Sequence, residues 1–503
     1  MNINKLIEKL PLASTQEVNE RIKHLSSESE PKKEFLYSCW KEFEKSEERK
    51  WMIIGKRYYE NENDIFDRKR TFIGRQGEEC EAYNLSNVKL SHPLYKKMVN
   101  QKVNYSSDTF SFISDDSEFL NLLNEYFDKS LRKKINHLAR VAISRGLACL
   151  HPYYNVEGKL KWKTIYPEDI CPFWEDDDHT ELDAAMLSTI IKEYEPDGSV
   201  REVRKVSFWT RLGVWYYVED EKGKGLVEDP EFPFENAPYS HLIAINADKN
   251  EAGDLIDVHL NFNTGVPFLF LRYNQEEIPL IKDVKSLIDD YDVTTSDWSN
   301  LLRDIPNAIK VIKGYGLMDP GEFNRNLSIF RLMILDDPDS DIEVLETPID
   351  VEGYKGHLTS LRKDIYEAGQ AVDTQEANIG NASGQALQFR YADLDIDAHN
   401  FNEQMTEFIE QMVVYIKNDI LLKTGVDYTD TKFDIVFKTN ILIRESDKIL
   451  DVVNSMGVLS RESCIEHHPW VKNKNVEMER IDKELKESLE QANYMETIET
   501  NGE

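Results

Sequence analysis

The chain of 503 residues carries 93 acidic side chains against 61 basic ones, a formal net charge of −32, and holds 22 Phe, 23 Tyr and 8 Trp. That length exceeds what one core usually holds, so about two to four structural units are expected. The aromatic content excludes a mostly disordered chain, and the charge excludes bulk attraction to nucleic acid, because phosphate contacts need an excess of Lys and Arg.

Nothing in the sequence reads as a membrane span: no apolar run approaches the ~18–20 residues needed, and pieces such as 266–271 are bounded by polar residues. Residues 1–10 alternate Lys and Glu with Leu and Ile, which predicts a helix rather than a signal peptide. Residues 32–56 form a charged helical stretch set with Phe35, Cys39, Phe43 and Trp51. A second amphipathic stretch covers 119–146, and the first hundred residues read as mainly helical. From His151 the texture changes to a mixed α and β region. Runs 203–210 and 214–219 around Arg211-Leu212-Gly213 predict a hairpin, and 241–245 and 266–272 predict strands.

A helical period returns at Pro279. Leu280, Val284, Leu287, Tyr291, Thr294, Trp298 and Leu301 step by four and three, and Pro306 follows as a stop. Strand-like runs come next at 308–312 and 329–335, with a short helix near 320–326. A second seam runs through Val351, Tyr354, Leu358, Leu361, Ile365, Ala368 and Val372. If these two helices lie side by side, the insert sits at their far end. Small and polar residues fill 373–384, and a third helix over 385–423 would measure roughly 58 Å at 1.5 Å per residue. Residues 433–437 resemble a strand, and the charged helical tail from Glu445 is broken at Gly457 and Pro469.

Chemistry-bearing motifs fail on their own residues. Gly55-Lys56 matches the end of a phosphate-binding loop, but Lys50 stands where glycine is needed and Arg57 where Ser or Thr is needed. The acidic run 336–341 lacks the Gly and Glu of a calcium loop, since Ile342 and Pro348 occupy those positions. Glu175 to His179 reads as a solvated turn. His467-His468 point apart on a helix, and neither H-E-x-x-H nor G-x-S-x-G occurs. The five cysteines, Cys39, Cys80, Cys149, Cys171 and Cys464, are scattered core residues suited to a reducing cytoplasm. Basic clusters at Arg68-Lys69-Arg70, Lys96-Lys97 and Arg132-Lys133-Lys134 read as salt-bridge partners between subunits or on a solvated face rather than as a DNA site.

Several segments carry a resemblance in order. Gly55-Lys56-Arg57-Tyr58-Tyr59, Asp64-Ile65 and Arg68-Lys69-Arg70 come first, then His92, Lys97, Val99, Gln101, Lys102 and Tyr105. Val266-Pro267, Asn274 and Leu287-Ile288-Asp289-Asp290-Tyr291-Asp292 follow. Tyr366, Ala368, Gln370-Ala371-Val372-Asp373, Gly380, Ser383-Gly384 and Ala386-Leu387 complete the set. From about residue 50 to 450 the chain resembles the portal proteins of tailed bacteriophages, of the type found in long-tailed phages of Gram-positive hosts.

The resemblance implies a helix-rich α+β portal fold that assembles as a ring, usually of twelve subunits, around a DNA channel at one capsid vertex. Residues 1–275 would be the wing, 276–304 the first stem helix, 305–350 the clip and 351–373 the second stem helix. Residues 374–384 would be the tunnel loop, 385–444 the long wing helix with its strand, and 445–503 the crown. It further implies Thr374, Gln375, Asn378, Ile379, Gly380, Asn381, Ser383 and Gly384 in the tunnel loop, and Lys282, Lys285, Arg362 and Lys363 on the stem. Lys310, Lys313, Glu322 and Arg325 would lie on the clip. Implied partners are the terminase large subunit, a head–tail adaptor, the major capsid and scaffolding proteins, and double-stranded DNA passing without sequence specificity. No membrane, metal, cofactor or catalytic residue is implied, and assembly would occur in the host cytoplasm. The competing classes are a soluble metal-dependent nucleic-acid-processing enzyme, whose carboxylates only folding would bring together, and a cytoplasmic helical scaffold.

Overall fold

Ser46 splits the first helical stretch in two. The computed structural model describes residues 32–500 except 74–76, 84, 107–109, 156, 177, 195–197, 221–222, 224, 250–254, 261–264, 305–308, 314–340, 346–349, 376–383, 438–444 and 472–473. The expected helix at 1–10 lies outside these residues. The Ser46 hydroxyl accepts the Arg49 amide at 3.1 Å. Helix α1 (Lys33–Lys45) therefore stops and α2 (Glu47–Tyr59) starts where charge pattern alone predicts one helix. A short hairpin, β1 (Thr71–Ile73) with β2 (Glu79–Glu81), precedes α3 (Leu94–Ser106) and β3 (Phe110–Ile113). The stretch 119–146 is likewise two helices, α4 (Ser117–Tyr126) and α5 (Lys129–Arg145). Asp128 divides them by capping the Leu131 amide at 2.7 Å.

The region from His151 departs from the mixed α and β expectation. Among the described residues between Arg145 and Ile281 there are strands and short 3-10 turns but no α-helix. A three-stranded sheet contains β4 (Leu147–Tyr154) between β5 (Leu160–Ile165) and the later β13. Five strands form an antiparallel meander: β6 (Ile170–Trp174), β7 (Leu182–Tyr194), β8 (Val200–Thr210), β9 (Gly213–Glu219) and β10 (Leu226–Glu228). The predicted hairpin is β8–β9. Its alternating Val206, Phe208, Trp215 and Tyr217 bury against Leu36 and Trp40 of α1. A hairpin of β11 (Leu242–Lys249) and β12 (Leu255–Leu260) leads to β13 (Leu269–Arg272). Alternation of bulky residues, not helical spacing, governs this stretch.

Helix α6 (Ile281–Asp304) matches the first predicted seam, and β14 (Ile309–Lys313) matches the strand after it. The expected short helix near 320–326 and strand at 329–335 lie outside the described residues. A strand that the acidic sequence concealed, β15 (Asp341–Leu345), pairs with β14. Helix α7 (Val351–Ala368) ends four residues before Val372. Val372 is nonetheless buried, which is why the seam reads as continuous past the turn. The long helix α8 (Gly384–Thr424) has 41 residues, and β16 (Asp434–Phe437) pairs with β3. The tail forms α9 (Glu445–Ser455), α10 (Arg461–Glu466) and α11 (Lys474–Thr500), interrupted near Gly457 and Pro469 as expected.

The chain divides into two units. One comprises residues 1–371 and 397–438, and its main core gathers α3, α4, α5, β4, α6 and the second half of α8. The other comprises residues 372–396 and 439–503. Gly55, half of the false phosphate motif, has a packing reason instead. A Cβ there would fall 1.8 Å from the Ser144 carbonyl oxygen of α5, so α2 and α5 touch backbone to backbone. Gly55→Ala is expected to cost about 1–3 kcal/mol by forcing these helices apart. Thermal unfolding measures it, and an unchanged midpoint would contradict the close approach.

Candidate stem and channel elements

Helices α6 and α7 pack side by side and antiparallel. Trp298 stacks on Tyr354 with ring centroids 6.0 Å apart, while His357 Nε2 lies 3.4 Å from Asp290 Oδ2. Partner numbers fall along α7 as they rise along α6, so residues 305–350 leave and rejoin the pair at one end. Strands β14 and β15 close the base of that insert, with Ile309 opposite Leu345 and Lys313 opposite Asp341.

The buried faces of α6 differ from the predicted seam. Trp298 turns toward α7, but Leu301 of the same seam is exposed. Ile281, Val284 and Ile288 bury an apolar stripe, which continues as Asp292, Ser296 and Asn300, each at most 1% exposed. This polar stripe accepts the amides of three alternate residues. His92 donates to Asp292 Oδ1 at 3.0 Å, Leu90 to Ser296 Oγ at 3.0 Å and Val88 to Asn300 Oδ1 at 2.6 Å. Four helical residues rise about 6.0 Å and two residues of extended chain advance about 6.6 Å. The repeats therefore stay in step across three rungs. Part-buried amides of extended chain are here satisfied by side chains of a helix. Asp292 also accepts from Asn63 Nδ2 at 2.6 Å and contacts His92 Nδ1 at 2.7 Å. The only signal in the sequence was polar residues four apart along an otherwise apolar helix.

The lysines expected on the stem separate into two kinds. Lys282 and Lys363 are exposed. Lys285 is part-buried, with Nζ 2.6 Å from both Asp64 Oδ2 and Asp289 Oδ2 and lying over the Tyr58 ring. Burial alone would lower its pKa, but the bonds to Asp289 and Asp64 outweigh that and raise it. Arg362 lies over the Tyr366 ring, 5.4 Å from its centroid. Lys310 and Lys313 sit on β14 opposite Val344 and Asp341, whereas Glu322 and Arg325 fall outside the described residues. Thr374 and Gln375 form an exposed turn in which Gln375 donates its amide to Asp373 at 3.0 Å. Asn378, Ile379, Gly380, Asn381 and Ser383 lie outside the described residues, and Gly384 is the first residue of α8.

Most cations of the basic clusters are engaged within the chain, while Lys133 is exposed. Arg68 pairs with Asp297 at 2.9 Å and Lys69 with Glu81 at 3.4 Å, while Arg70 donates to the Ser86 carbonyl at 2.6 Å. Lys96 and Lys97 lie over the rings of Tyr59 and Tyr366. Arg132 donates to the carbonyls of Phe127 and Phe110, and Lys134 to that of Trp162. Cations held this way are poorly placed to collect phosphates. Among the described residues, no three or more His, Cys, Asp or Glu converge to hold a metal, and no helix is long and apolar enough to cross a membrane. His151 is a core group: burial pushes its imidazole down to about 4, and Nδ1 sits 2.7 Å from the Pro267 carbonyl.

The family described as phage portal protein, SPP1 Gp6-like, matches residues 40–491. The chain belongs to that family. It is 26% identical over 446 residues to the portal protein of Bacillus phage SPP1, covering 87% of this chain and 84% of that one. It is 24% identical over 439 residues to the portal protein of Clostridium phage phiCD119, covering 84% and 90% respectively. A solved structure, the neck of a native GTA particle computed with C12 symmetry, aligns over 74% of this chain and 88% of its own. Its identity is 11% and its TM-score 0.38. As a phage portal protein the chain is a structural connector and a virion component at the capsid vertex.

Proposed function

We propose that the portal chain closes into a ring, with about twelve copies, around a channel that carries double-stranded DNA during packaging and ejection. The family match across residues 40–491 carries this reading. The acid excess supports it, because a conduit must let its cargo slide, and a −32 chain repels phosphate. In this reading α6 and α7 are the stem and residues 305–350 the clip. Residues 374–384 are the tunnel loop, α8 bridges wing and crown, and residues 445–503 are the crown. The wing, residues 1–275, faces the major capsid and scaffolding proteins. Motor energy comes from a separate terminase, and assembly takes place in the host cytoplasm.

The clip assignment is open to direct test. Because the insert leaves and rejoins α6 and α7 at one end, its free surface suits docking of the terminase large subunit and later of the head–tail adaptor. Glu322→Lys with Arg325→Glu, or Lys310→Glu with Lys313→Glu, should leave rings intact and weaken terminase binding on the order of tenfold, the scale of one lost charged contact. Titration of labelled terminase against purified rings measures this. Unchanged affinity across both pairs would count against the clip as the docking surface.

A further inference from the structure

Helix α3 turns a lysine into the core. Tyr95, Met98, Val99, Lys102 and Tyr105 share its buried side, and Lys102 is 1% exposed. An ammonium group in such a place must be paired, so its partners reveal what the residue does. Nζ lies 2.7 Å from Asp397 Oδ2 on α8 and donates to the Gln370 carbonyl at 3.3 Å. Tyr273 holds the same carboxylate from its other side, its hydroxyl donating to Oδ1 at 2.7 Å. Burial lowers the Lys102 pKa and Asp397 opposes that shift.

Gln370 stands two residues beyond α7, at a φ of 45°. The turn that ends α7 is secured by three amides: Gly369 to Ile365, Gln370 to Glu367 and Ala371 to Tyr366, at 2.9–3.0 Å. Helix α3 meets that turn a second time, since a Cβ on Gly369 would come within 2.6 Å of Met98 Sδ. The exit of α7 and the body of α8 are therefore bound to one cation, and the chain between them is residues 371–396.

We infer that Lys102 is a positioning residue that ties the exit of α7 to α8, so that residues 371–396 leave and rejoin the core at a separation fixed by one buried ammonium. The consequence rests on the channel reading proposed above: a load placed on those residues by moving DNA is shared between α7 and α8 only while both hold Lys102. Because the Gln370 partner is a backbone carbonyl, the tie does not depend on the side chain at 370.

The test removes the charges together. Lys102→Met alone would strand a buried carboxylate and unfold the region, whereas Lys102→Met with Asp397→Asn removes both charges and leaves Tyr273 an acceptor. In assembled protein carrying both changes, amide exchange at 369–371 should speed at least tenfold while α6 exchanges as before, and DNA packaging should slow several-fold. Gln370→Ala should change neither. Wild-type exchange at 369–371 in the folded double variant would overturn the inference. A second measurement needs no variant: in the unmodified protein, amides at 369–371 and those of α8 around Asp397 should lose protection together as denaturant is added. Separate transitions would overturn it. Exchange reads the tie whether or not the ring conducts DNA, so failure of the channel reading would show only in packaging.

Discussion

Asp292→Ala should cost about 3–5 kcal/mol, a large share of the stability of any domain. The carboxylate is fully buried and accepts from the His92 amide and from Asn63 Nδ2, with His92 Nδ1 also in contact. Alanine leaves the part-buried His92 amide and the buried Asn63 amide without that acceptor, and unsatisfied buried donors are costlier than the bonds themselves. It also removes one of three rungs that align residues 88–92 along α6. Asp292→Asn should be milder, about 1–2 kcal/mol. Its carbonyl can keep the His92 amide, and its new amide meets Asn63, whose Oδ1 has no partner and can serve as acceptor once that side chain flips. Denaturant titration of both variants separates them. Equal losses would show that acceptor geometry at this rung is not what stabilises α6.

Gly380→Trp should reduce DNA packaging by more than tenfold while rings form normally. The flanking Thr374 and Gln375 are exposed, and the residues that follow are small or polar with no helical seam. Neutral groups such as Asn378, Asn381 and Ser383 can meet DNA without gripping phosphate. Each Trp brings roughly 150–250 Å² of surface, and in the proposed ring every subunit adds one at the same constriction. At an ordinary surface turn the same change would be harmless, because nothing repeats it around an axis. Packaging by purified heads is the measurement. Rings that carry the change and fill heads at the normal rate would show that this segment does not line the channel.

Regular periodicity was the readable part of this sequence. Helices α6, α7 and α8, the β8–β9 hairpin and the breaks in the tail follow from spacing, but packing departs from the seams of α6 and α7, where Leu301 and Val351 are exposed. Helix ends were not readable, because Ser46 and Asp128 cap helices inside continuous amphipathic patterns, a local hydrogen bond that period does not record. Strand β15 was hidden by its acids, since its pairing with β14 rather than any propensity of Asp341 or Glu343 makes it a strand.

The residues that carried the family resemblance prove to be structural ties. Asp292 holds His92 against α6, Asp289 joins α6 to Tyr58 of α2, and Lys102 joins α3 to Gln370 after α7 and to Asp397 of α8. Sequence could name them but not connect them, because their partners lie about two hundred residues or more away along the chain for Asp292 and Lys102. Lys285 illustrates the same point. The resemblance would set it on a stem helix, and its Nζ is bonded to the carboxylates of Asp64 and Asp289.

The central claim is a closed ring with an open axis. Single-particle imaging of the purified chain, at moderate salt to screen the −32 charge on each subunit, tests it most directly. Closed rings with a central opening are expected, with a mass near twelve times 58.6 kDa. A population of monomers or dimers under those conditions, with no ring, would contradict it.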